Sequence, residues 1–164
     1  MASQGPNSPI TGENDAAVGT FSWTAPATIV SSNNAWASVS IGGSGTVTTN
    51  YIKATNFGFS IPSGVTIDGI IVEIERKQSP TAEGLCKDAT VKLVKGGTVS
   101  GNNNADTSTN WPTTDTYKTY GSSSDLWGLG WTDSDINAAN FGVVLSATIT
   151  IDPKDGAGIY VDHI

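Results

Sequence analysis

Asn56-Phe-Gly-Phe-Ser-Ile-Pro-Ser-Gly-Val-Thr-Ile-Asp-Gly-Ile-Ile-Val-Glu-Ile-Glu-Arg76 reads as strand, tight turn, short strand, turn, strand. In its second half Ile70, Val72 and Ile74 alternate with Ile71, Glu73 and Glu75. That period of two puts aliphatics on one face and carboxylates on the other, the pattern of a half-buried strand. Pro62 presets φ for a turn, and Gly64 and Gly69 can take positive φ, so the breaks around Val65 to Ile67 have a backbone cause. No reactive group is singled out by this layout.

Working outward, the same alternation recurs. Phe21, Trp23 and Ala25 predict a first strand ended by Pro26, and Trp36, Ser38 and Ser40 alternate with Ala37, Val39 and Ile41 in a second. After the Gly42-Gly43-Ser44-Gly45 turn, Thr46 to Ala54 reads as two short strands or one bent one. That turn lacks the Gly-Lys-Ser/Thr ending of a phosphate-binding loop. Gln78 to Lys87 reads as a polar loop, Thr90 to Lys95 as a strand, and Lys95-Gly96-Gly97-Thr98 as a hairpin turn. Gly101 to Ser124 is a long polar stretch that is either a functional loop or conceals short strands. Phe141, Val143, Leu145, Ala147, Ile149 and Ile151 share a face over the clearest strand of the chain, and Ile159 to Ile164 is expected to pair with it as a hairpin across the Asp152 to Gly156 turn.

One helix is predicted, near residues 133–139. Thr132 is its N-cap, Asp133 and Asp135 suit the positive end of its dipole, and Asn140 stops it. Many short strands with no βαβ alternation make the chain all-β: an antiparallel β-sandwich, jelly-roll-like or alternatively immunoglobulin-like. Residues 1–19 carry hardly any large apolar side chain and are expected to form a flexible N-terminal arm, leaving residues 20–164 as the sandwich domain.

Bulk composition narrows the function. Asp and Glu number 15 against 8 Lys and Arg, a net charge of −7, which argues against nucleic-acid and anionic-membrane partners. A single cysteine, Cys86, rules out an intrachain disulfide and reads as a packing residue. The N-terminus has no signal-peptide pattern, and no apolar run approaches the ~20 residues of a membrane span.

Chemistry finds little footing. The one histidine, His163, reads as a strand residue, and no Gly-x-Ser-x-Gly elbow accompanies it. Asp133-x-Asp135-x-Asn137 starts like a calcium loop but fails at Ala138, where glycine is required, and at Val144, where a bidentate Glu belongs. Asp152 and Asp155 read as a solvated turn, with calcium ligation the alternative. Glu73 and Glu75 lie roughly 7 Å apart by strand rise, a spacing common to many solvent-facing strands. No catalytic residue, cofactor or metal ligand is therefore assigned. Trp111, Trp127 and Trp131 stand in Gly-rich polar segments, where indoles either pack in the core or contact a partner or glycan.

Four segments carry a resemblance: Tyr51 to Gly64, Thr66 to Arg76, Tyr120 to Gly128 and Asn140 to Leu145. Together they resemble a family of small β proteins of tailed bacteriophages and prophages, over roughly Phe21 to Ile164. The resemblance implies a non-enzymatic virion structural protein, foremost a capsid decoration (cement) protein. It also implies capsid or tail subunits of the same virion as partners, a homo-oligomer such as a trimer, and assembly in the host cytoplasm. The alternative is a tail or fibre receptor-binding or carbohydrate-binding module.

Overall fold

The computed structural model describes residues 3–79, 85–151 and 157–164. Two antiparallel sheets face each other. One runs in the order β1 (Thr11–Asp15), β4 (Tyr51–Thr55), β9 (Gly142–Ile151), β6 (Leu85–Lys95), β7 (Thr98–Ser100), with β3 (Gly45–Thr48) on β9 beyond the end of β4. The other is β2 (Ala37–Ile41), β10 (Ala157–His163), β5 (Ile71–Gln78), β8 (Thr116–Gly121). Along the chain, successive strands pass from one sheet to the other at every link except β3 to β4 and β6 to β7. The chain is an all-β antiparallel sandwich, as its alternation predicts.

The inward positions of both sheets make one core. Ile52, Val91, Leu93, Val143, Leu145, Ala147 and Ile149 come from the larger sheet, and Val39, Val72, Ile74, Ile159 and Val161 from the smaller. Each is the expected parity of a strand with one face to the core. The helix α1 (Asp133–Asn137) has the predicted cap: Thr132 and Asp135 satisfy each other's backbone N–H in a capping box. Asn137 and Asp133 then reach back to Ile61 and Gly64. Thr132→Ala should cost about 1 kcal/mol, read as a lower urea midpoint with unchanged slope.

Several expectations need correction. Residues 56–70, read as strands, form no strand, because side chains rather than a neighbouring strand occupy their backbone. Asn7 Nδ2 donates to the Phe57 carbonyl at 2.9 Å. Ser60 N–H donates to Gln4 Oε1 at 2.9 Å, and Ile61 N–H to Asn137 Oδ1 at 2.7 Å. Phe57 and Phe59 meanwhile close on Phe141.

Residues 21–25 make only isolated bridges, Phe21 to Thr49 and Thr24 to Ser38, and Ala25 turns the chain at φ 51 into a 3-10 turn, Pro26–Ile29. Trp23 N–H is taken by Asn14 Oδ1. The expected arm, residues 1–19, contains β1, which lies along β4 with Lys53 paired to Glu13 at 2.9 Å. In the expected loop at Gln78 to Lys87, Gln78 ends β5 and Leu85 opens β6. The long stretch Gly101 to Ser124 does conceal a strand, β8.

The predicted hairpin of the last two strands does not form. β10 crosses to the other sheet and pairs with β2 and β5, because Ile159 and Val161 fill the core from that side. The Asp152 to Gly156 turn and its calcium alternative lie outside the described residues.

Candidate binding face

The smaller sheet turns every second residue of each strand outward. Because Val39, Val161, Val72 and Ile74 are buried, Ser38, Tyr160, Lys77, Glu73, Ile71, Tyr117 and Thr119 share the opposite face. Two side-chain knots stiffen this face. In the first, Lys77 Nζ stands 3.8 Å from the centroid of the Trp36 ring and 2.9 Å from Asp115 Oδ2. Trp36 Nε1 donates to the other oxygen of Asp115 at 3.1 Å, and its ring meets Tyr160 edge-on at 6.2 Å. Cation, carboxylate and indole thus satisfy one another across β2, β5 and the loop before β8.

In the second knot, His163 sits between the Tyr117 hydroxyl, 3.0 Å from Nδ1, and the Ser8 hydroxyl, 2.8 Å from Nε2. Burial lowers the His163 pKa, against the opposing pull of Glu75 and Asp162. A neutral imidazole offers one donor and one acceptor, matching the two hydroxyls. Ser8 to His163 is a nucleophile-to-base distance, but the other ring nitrogen faces a phenol instead of a carboxylate. The contact latches the N-terminal segment onto the last strand.

The sign of the pH effect follows. The folded chain holds this proton less tightly than the unfolded one, whose imidazole titrates near 6.5. The contribution is therefore fully present above about pH 6.5 and is lost as pH falls from there through the lower pKa of the folded chain. Urea midpoints measured at about pH 7.5 and about pH 5 should differ less in His163→Gln than in the parent chain.

The tryptophans singled out by sequence lie elsewhere. Trp111 and Trp127 are fully buried, so of the two roles left open for them they take core packing, and neither ring has a face to offer a glycan. Trp127 Nε1 donates to the Ile70 carbonyl at 2.9 Å and Trp111 Nε1 to Asp88 Oδ1 at 2.7 Å. Trp131 is half-buried, edge-on to Phe141 at 5.5 Å, with Lys95 Nζ 5.4 Å from its centroid. The outward aromatics are Trp36, Tyr160 and Tyr117. Their signal was parity, since Trp36 falls on the polar side of its strand run with Ser38 and Ser40.

Between the sheets lies a set of buried ionisable groups. Asp88 on β6 accepts from Trp111 Nε1, from the Tyr120 hydroxyl at 2.8 Å and from Asp106 N–H at 3.0 Å. Arg76 Nε on β5 is 3.5 Å from Asp88 and donates to Tyr120 Oη at 3.1 Å, with its guanidinium over the Trp111 ring at 4.8 Å. Burial pushes the Tyr120 hydroxyl and the nearby Cys86 thiol up, so both stay protonated. The arrangement joins the two sheets and offers no attacking group. Among the described residues no three His, Cys, Asp or Glu side chains converge as metal ligands, and no helix is long and apolar enough to cross a membrane.

No protein-family model and no curated protein matches the chain.

Proposed function

We propose that the chain is a non-enzymatic structural protein of a tailed-bacteriophage virion, acting as a decoration protein on the capsid lattice and working as a homo-oligomer, with a trimer as the expected state. One observation carries the reading: the ionisable groups at the centre of the fold are spent on construction. Arg76 and Asp88 join the sheets, Lys77 and Asp115 brace the outer face, and Lys53 with Glu13 holds the first strand. Such a sandwich is a rigid adhesive block, and on a lattice many repeated weak contacts add up to firm attachment. The phage-like segments from Tyr51 to Leu145 supply the context. Sedimentation of virions carrying the chain tests it: the protein should co-pellet with particles and resist washing. Recovery only in the soluble fraction would refute the reading.

A receptor-binding role has one observation in its favour. Tyr160 flanks a shallow groove with Ser40, Ser79 and Gly158, and Trp36 adjoins it. A glycan array that responds to the chain, and ceases to respond to Trp36→Ala, would favour this second reading over the first.

A further inference from the structure

The two outer faces of the sandwich carry opposite charge. On the larger sheet, Lys87 and Lys92 lie opposite Thr148 and Val144 and point away from the core, since Cys86, Val91 and Leu93 point into it. Neither lysine joins an ion pair among the described residues. Lys53 on the same face is outweighed by Glu13 and Asp15, so with Lys87 and Lys92 these groups leave one positive charge in excess. At one end of the row Leu85 is 51% exposed.

On the smaller sheet the balance reverses. Glu73 is exposed and joins no ion pair among the described residues, while Glu75 beside it is half-buried, with one carboxylate oxygen shielded from solvent. Among the described residues the lysine of that face, Lys77, is already held by Asp115. Ile71, 54% exposed, and Tyr117, 45% exposed, flank the two glutamates.

We propose that these faces bind each other in neighbouring copies, the larger sheet of one chain seating on the smaller sheet of the next. Lys87 and Lys92 would then meet Glu73, with the half-buried Glu75 adding its negative field, and Leu85 would gain apolar cover from Ile71 or Tyr117. Lysine stems are long enough to accommodate differences in spacing between the two rows. The net charge of −7 repels copies at a distance, but a Debye length of about 8 Å at physiological salt screens that repulsion far more than it screens contacts at ion-pair distance. Because the two surfaces differ, the contact is heterologous, and it closes into a ring or runs on as a row according to its rotation. The inference goes beyond the virion reading and does not need it.

Sedimentation velocity on the purified full chain tests it without any virus present. The parent chain should self-associate in a concentration-dependent way. Glu73→Lys alone and Lys87→Glu/Lys92→Glu alone should each weaken association at least tenfold, with far-ultraviolet spectra unchanged because the altered side chains face solvent. An equal mixture of the two reversed variants should associate again, since each then meets a face of opposite sign. Fold damage cannot produce that restoration. A parent chain that stays monomeric at its highest soluble concentration, or variants that associate as the parent does, or a mixture that stays apart, overturns the proposal. Co-pelleting with virions would be untouched by that failure, so the two readings fall separately.

Discussion

Asp88→Ala should destabilise the chain by about 3–5 kcal/mol, a large part of a typical domain's total, and at physiological temperature a substantial unfolded fraction is expected. The reason is what remains behind. Asp88 has no exposed side-chain surface and Arg76 only 4%, so truncation strands a guanidinium between the sheets with no anion. Trp111 Nε1, the Tyr120 hydroxyl and Asp106 N–H lose their acceptor in the same step. Each buried donor left unpaired costs about 1–3 kcal/mol more before relaxation. Urea titration gives the measurement, with a lowered midpoint at unchanged slope. The double replacement Arg76→Met/Asp88→Leu should recover much of the loss, because removing both charges leaves no uncompensated ion. A double variant as unstable as Asp88→Ala would mean that the hydrogen bonds to Asp88, and not its charge, dominate.

Trp127→Ala should cost a comparable amount, about 3–5 kcal/mol, through the cavity left by a fully buried indole. Trp127→Phe separates the two parts of that cost. It keeps most of the volume but removes the donor to the Ile70 carbonyl, for about 1–3 kcal/mol. This carbonyl belongs to the residue that leads into β5, so the indole also fixes where that strand begins. Trp36→Ala, on the outer face, should stay within about 1 kcal/mol of the parent, since its contacts are partly solvated. Denaturation midpoints that rank Trp127 far above Trp36 would bear out a core role for the first. A Trp127→Ala chain as stable as the parent would show that the indole is not a core anchor.

What could be read from the sequence was what local alternation determines. The run from Phe141 to Ile151 carries its inward face in every second residue, and it is the central strand β9. Thr132 announces its helix because a cap needs only three further residues. What could not be read depends on distant parts of the chain. Phe57 to Ile61 has strand-like composition, yet its partners are amide side chains at positions 4, 7 and 137.

The hairpin expected of β9 and β10 rested on a local turn signal, which does not reveal the sheet to which the next strand belongs. Arg76 shares the parity of Val72 and Ile74, so the pattern itself put a cation inside, but its partner Asp88 lies on another strand beside a register shift. The candidate site was left open for the same reason. An indole in a polar, Gly-rich loop can pack inside or face out, and only its distant buried acceptor, the Ile70 carbonyl for Trp127 and Asp88 for Trp111, decides.

The latch between Ser8 and His163 has a practical side. Contacts at Ile29 with Ile164, and at Val30 with His163, gather the beginning and the close of the polypeptide at one pole of the sandwich. Early and late segments of the polypeptide thus meet beside the outer face of the smaller sheet, where Tyr117 also holds His163. A short glycine linker joining the two, with a new opening cut at the exposed Gly96-Gly97 turn, is the natural design for a permuted display scaffold.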